Sequence, residues 1–227
     1  MTSSPGNPWQ QLPLQKPFVL PEDKGPLSSF NASASDDFFV HLELLPEPFL
    51  GSPSAPVVVL GLNPGFKEAD LTQHTDPSFI SRSRCNLMHG PSDYPFYLLD
   101  PGITRTKWWD RKLDSLIKLV GREIVARGVL CVEYFPYHSR RFQHRRVQVP
   151  SQKYGFELVR QALLRQAVII VLRGRRLWLT AVPELQSYRT LYYTNNPQNP
   201  IISPRNCPKA YEHAAEVLKE MALGEPC

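Results

Sequence analysis

The run Val57-Val58-Val59-Leu60 is continuous, apolar and β-branched at three of its four positions, and it stops at Gly61-Leu62-Asn63-Pro64-Gly65. A strand that is apolar on both faces has no face to offer water. It therefore belongs inside a sheet that is covered on each side, as parallel sheets are. Residues 128–132, 168–172 and 190–194 repeat the pattern of a short strand running into a polar or glycine-containing turn. Between these strands the apolar period changes to that of a helix. In Trp108–Val120 the residues Trp109, Leu113, Leu116, Ile117 and Val120 recur at spacings of three and four. Residues 154–165 read as a further helix. Residues 208–223 read as the last one, with Pro208 suited to its first turn and Ala210, Ala214, Val217, Leu218 and Met221 on its inner face. Strands alternating with helices predict an α/β fold, with three α/β/α layers around a central four-stranded parallel sheet. Ligands of such sheets bind beyond the carboxyl ends of the strands. Here those ends carry Asn63, Glu133, Arg173 and Asn196, which predicts one shared crevice.

The 23 prolines among 227 residues exclude long uninterrupted helices over much of the chain. Residues 1–35, rich in Pro, Ser and Gly, are expected as an extended or poorly ordered lead-in, with residues 36–227 forming a single domain. Residues 37–45 read as a short helix ended by Pro46 and Pro48. Residues 66–106 show no strong periodicity and read as a long functional loop. The net charge of +5 permits an anionic partner without requiring one. No CxxC pair occurs among the four cysteines, so no metal site is expected. Cys131 sits in an apolar run and reads as core, and the chain is expected in a reducing compartment. The first residues lack an apolar signal region, and no apolar run is long enough to span a bilayer. The expectation is a soluble protein of the cytoplasm or nucleoid with no membrane partner. A monomer is the default, since the oligomeric state is not legible. No Gly-rich phosphate loop of the Walker or dinucleotide type is present.

Four segments together resemble the uracil-DNA glycosylase superfamily over residues 55–223. Gly61-Leu62-Asn63-Pro64-Gly65 looks like the water-positioning motif of its mismatch-specific and single-strand-selective groups. Thr106-Lys107-Trp108-Trp109 resembles the start of the helix after their variable loop. The segment ending in Phe135-Pro136 is similar to the base-reading strand end. Ser203-Pro204-Arg205-Asn206 is similar to the loop that wedges into the minor groove. The resemblance implies a uracil-DNA glycosylase-like fold, DNA as partner, no cofactor, and excision of a base flipped out of the stack. It implies catalytic roles for Asn63 and for Asn196, which takes the position of the family's leaving-base His when the strand end is aligned with a small insertion before the wedge; alignment on the wedge itself puts Ile201 there. It also implies DNA contact by Ser203, Pro204, Arg205 and Asn206.

The residues themselves suit that chemistry. A neutral amide offers both a donor and an acceptor, so Asn63 is fitted to hold and aim an attacking water. Phe66, Phe135 and Tyr97 are candidates to contact the flipped base, with Phe96 as a further aromatic. Arg140, Arg141, Arg145 and Arg146 follow the second strand end and suit phosphate contact. Glu133 stands where the family often has Asn. If ionised, its carboxylate only accepts hydrogen bonds, which favours an amino pyrimidine over uracil. The alternative is a structural ion pair with Arg173 or Arg141. Two substrates stay open, uracil in a repair role and a modified cytosine in defence against phage DNA. A non-catalytic DNA- or RNA-binding protein on the same scaffold is the rival reading.

Overall fold

In a computed structural model, the structure describes residues 6–103, 107–142 and 147–224. Five strands form one sheet: β1 (Phe49–Leu50), β2 (Val57–Leu60), β3 (Val129–Val132), β4 (Val168–Val171) and β5 (Leu191–Tyr193). The strand order is β1-β3-β2-β4-β5. The expected four strands are parallel to one another, with Leu60 level with Val132 on one side and with Val171 on the other. The expectation of a four-stranded, purely parallel sheet is corrected by β1, an antiparallel edge strand pairing Phe49 with Val132. Two residues flanked by Pro48 and Gly51 carry too little pattern to be seen in the sequence. The sheet is therefore mixed.

Alternate residues of the strands feed two hydrophobic clusters. Val58, Leu60, Leu130, Val132, Ile169 and Val171 face one. Val57, Val59, Val129, Cys131, Val168 and Ile170 face the other. Helices α4 (Trp108–Val120), α5 (Arg122–Gly128) and α8 (Pro208–Gly224) cover the second face, using Leu113, Leu116, Val125, Ala126, Ala214 and Leu218. On the first face lie α6 (Gln152–Leu164), through Leu158, Val159 and Ala162, and α7 (Arg175–Ala181), through Trp178. Gly121 ends α4 in the left-handed region at φ 90° and lets α5 start at once.

The lead-in is a correction. Residues 21–31 form α1 (Pro21–Asn31), and Trp9, Leu20, Leu27 and Phe30 are buried in the first cluster. Polar ties hold it there. The Tyr137 hydroxyl donates to Asp23 Oδ2 at 2.7 Å and accepts the Leu20 amide at 3.3 Å, while the Ser151 amide donates to Asp23 Oδ1 at 3.1 Å. Prolines at the first turn and polar composition hid a segment most of whose large apolar residues, Leu14 apart, point inward. Residues 37–45 form turns rather than a helix, and residues 66–103 are not a bare loop. They hold α2 (Glu68–Gln73) and α3 (Pro77–Leu87), started by the Asp76 side chain accepting from the Ser78 and Phe79 amides.

Candidate active site at the carboxyl ends of the central strands

The loop after β2 is stitched to the chain leaving β3. Gly61 N–H donates to Val132 O, Phe135 N–H to Leu62 O and Ser139 N–H to Pro64 O. His138 lies with Nδ1 2.8 Å from Gly65 O and Nε2 3.0 Å from Leu45 O. Between these two loops a cavity of about 300 Å³ opens. Asn63, Phe66, Glu133, Arg140 and Arg173 all line it, so three of the four strand ends converge as expected.

Asn63 is oriented through its amide nitrogen. Nδ2 donates to Pro64 O at 2.9 Å, to Ser139 Oγ at 3.1 Å and towards Ser139 O at 3.3 Å. Two of those partners are carbonyls, which only accept, so the amide cannot be turned round without setting oxygen against oxygen. Among the described residues nothing donates to Oδ1, which leaves it as an acceptor at a cavity-lining residue.

Glu133 lies one residue past β3, beside Gly61. A Cβ on Gly61 would land within the Glu133 carboxyl, so the absence of a side chain there makes the room the carboxyl occupies. Its Oε2 is sealed from solvent and has no hydrogen-bond partner, and its Oε1 lies 3.7 Å from Cys131 Sγ. Burial, followed by the nearby Glu47 carboxyl, raises the Glu133 pKa to about 8, against opposing pulls from Cys131, Arg173 and the Leu62 amide. Near neutrality burial therefore favours the neutral acid, which carries a donor as well as an acceptor, over the ionised carboxylate on which the preference for an amino pyrimidine is conditioned. The alternative of a structural ion pair has no support among the described residues. Arg141 pairs with Asp37 at 3.3 Å, and Arg173 donates to Pro197 O and Gln198 O.

The floor carries a polar trio absent from the sequence expectations. Glu47 accepts from the Tyr97 hydroxyl at 2.9 Å, and His74 Nδ1 accepts the Leu45 amide at 2.9 Å. Glu47, His74 and His138 each bring a potential ligand atom within 4.8 Å of the others. His74 Nδ1 and both nitrogens of His138 are already engaged with the backbone, so the trio fits a hydrogen-bond network better than a cation site. Burial, then His138 and Lys16, pushes His74 down to about 2, so it stays neutral. Trp108, at the start of α4, also lines the cavity and holds the Lys112 ammonium 5.0 Å from its ring centre. No local pattern marks Glu47 or His74. Only the return of two distant segments places them beneath Asn63.

The other expected site residues divide. Phe66 lines the cavity, with His41 stacked on it at 3.5 Å and the Arg140 guanidinium 5.1 Å from its centre, so a base reaches its face only by displacing Arg140. Arg140 also pairs with Glu68. Phe135 is wholly buried and stacked on Phe142, which makes it core rather than base-contacting. Tyr97 is buried and reaches this cavity only through Glu47. Asn196 does not line the cavity: its Oδ1 accepts from the Gln198 and Asn199 amides in a local turn. Asn206 ties that loop together, accepting from the Asn196 amide and donating to Ile201 O, while Pro204 and Arg205 are exposed at its tip beside the half-buried Ser203. Arg145, Arg146 and Thr106 lie outside the described residues. No described helix is long and apolar enough to cross a membrane.

The two perturbed groups predict a stability profile. Glu133, raised in the folded state, contributes stability that is complete below about 4.5 and lost as pH rises through about 8. His74, depressed in the folded state, contributes stability present above about 6.5 and lost as pH falls towards about 2. Their slopes oppose one another between these windows, leaving an alkaline arm to Glu133. The Glu133 shift is worth on the order of 5 kcal/mol over its whole range. Melting temperatures measured from pH 5 to pH 9 should fall on the alkaline side for wild type and much less for Glu133→Gln. Parallel curves would place the Glu133 carboxyl in water.

Compared with known proteins, the chain matches no protein-family model, no curated protein and no solved structure.

Proposed function

We propose that the protein is a DNA glycosylase that hydrolyses the bond between a flipped-out pyrimidine base and its deoxyribose. The observation that carries this reading is Asn63. Its amide nitrogen is committed to Pro64 and Ser139, and its oxygen stays free to accept from a water in a cavity that also holds a buried acid. Hydrolysis at a sugar carbon needs little more from the protein than an aimed water and stabilisation of the departing base. Phe66 and Trp108 supply aromatic walls, and Lys67, Arg140 and Arg173 supply positive charge at the same cavity, which suits a base arriving on a phosphate backbone. The exposed Pro204 and Arg205 suit contact with the groove beside it. The likeness of the sequence motifs to the uracil-DNA glycosylase superfamily agrees with this arrangement, except that Asn196 is engaged in its own turn and leaves the leaving-base role vacant.

The test is incubation of the full chain with oligonucleotides that each carry one defined base, followed by hot alkali, which cleaves at abasic sites. Cleavage at one base class is the expected result. Tight DNA binding with intact strands at every base identifies a non-catalytic binder on this scaffold.

A further inference from the structure

The cavity contains one acid for which the water-aiming role of Asn63 has no use. Glu133 lies one residue past β3, the strand paired with β2, in the space left by the missing Gly61 side chain, with Oε2 enclosed and unpartnered. No Lys or Arg among the described residues lies within ion-pair reach of it. A sealed carboxyl with an unmet polar atom and no counter-ion is costly to the fold, and such groups persist where a ligand completes them.

We propose that Glu133, as a neutral acid, recognises and activates a cytosine-type leaving base, its carbonyl oxygen accepting from the exocyclic amine while its hydroxyl donates to ring N3. This rests on the glycosylase reading. Cytosine is a poorer leaving anion than uracil, so its departure needs a proton on the ring. The bond from C1′ to N1 breaks and its electron pair passes into the base. The Glu133 proton moves to N3, so the base leaves neutral. The water held by Asn63 adds its oxygen to C1′, and the proton it sheds passes through solvent and restores the acid. One group thereby fills the position that Asn196 does not occupy.

The surroundings keep the proton in place. Burial opposes a negative charge on Glu133, and the Glu47 carboxyl, arriving ahead of β1, acts in the same sense. The Cys131 thiol on β3 and Arg173 beyond β4 act against them. Asp70 on α2 and His138 in the loop after β3 line the same cavity. Burial raises the Glu47 carboxyl as well, against the opposing pulls of His138 and the Tyr97 hydroxyl, so the two acids crowd one another in a site that disfavours a second negative charge.

The test is single-turnover release from matched oligonucleotides carrying cytosine, 5-methylcytosine, 5-hydroxymethylcytosine or uracil, by wild type and Glu133→Gln. Glutamine keeps one donor and one acceptor but has no proton to give. The expected result is a loss of about 100-fold or more on cytosine-type bases, with the ratio of cytosine-type to uracil release falling by about tenfold or more. Wild-type cytosine release should fall about tenfold per pH unit above pH 8, and Glu133→Gln should show no such arm. Binding to an uncleavable 2′-fluoro cytosine oligonucleotide reports whether the variant still folds its site. Cytosine release that is equal in both proteins and flat with pH overturns the acid role and leaves the glycosylase reading standing. Wild-type release of uracil alone overturns the substrate class, again leaving that reading. Release of no base by wild type overturns the glycosylase reading and this proposal with it.

Discussion

Asn63→Ala is expected to slow base release by about 100-fold, roughly 2.7 kcal/mol of lost transition-state stabilisation, while DNA affinity changes by no more than about threefold. The asymmetry follows from what Asn63 touches. Its nitrogen is used within the protein, on Pro64 and Ser139, and its oxygen has no donor among the described residues. In the proposed mechanism, removing the side chain takes the aim from the water and leaves Lys67, Arg140 and Arg173 in place at the cavity. Asn63→Asp sharpens the test. Carboxylate oxygens would then face Pro64 O and Ser139 O without a proton between them, so the turn must deform. Aspartate should therefore rescue nothing. Single-turnover release and equilibrium binding on one oligonucleotide decide the matter, and a wild-type rate in Asn63→Ala would remove the water-aiming mechanism.

Trp178→Ala is expected to cost about 3–5 kcal/mol, a large part of a domain stability of about 5–15 kcal/mol. Trp178 is wholly buried and meets Tyr134 and Phe156 edge to face at 5.5 and 5.8 Å. Its indole N–H also donates to Gly61 O at 2.7 Å. That bond fixes the residue whose missing side chain houses the Glu133 carboxyl, so core packing and the candidate site meet at one ring. Trp178→Phe keeps much of the aromatic contact and leaves Gly61 O unpaired, at a cost of about 1–3 kcal/mol. Denaturant midpoints at constant slope measure both changes. A Trp178→Ala penalty below about 1 kcal/mol would mean that the ring does not bear on Gly61 in solution. Trp178→Phe should in addition slow base release, because the Gly61 backbone sets the floor under Glu133.

What the sequence by itself determined is the parallel core and the residues at its strand ends. Val57–Leu60 appears as a strand within the bounds expected, because a short β-branched apolar run ending in a Gly and Pro turn suits a doubly covered strand. Trp108–Val120 likewise keeps its expected limits, since a strong 3.6-residue period leaves no alternative face to bury. Asn63, Glu133 and Arg173 meet because neighbouring parallel strands end on one side of a sheet. The tertiary structure alone decided the rest. The lead-in of residues 6–35 is held by burial of Trp9, Leu20, Leu27 and Phe30 in the core and by Tyr137 and Ser151, more than a hundred residues away, which satisfy Leu20 and Asp23. Glu47 and His74 join the site through backbone partners that no local pattern announces. Asn196 and Phe135 were sequence candidates beside Asn63, yet one is spent on its own turn and the other on the core. The charge of Glu133 was beyond reach of the sequence for the same reason. A carboxyl ionises according to the water and charges around it, and those are set by Gly61, Glu47 and Arg173 arriving from three separate segments.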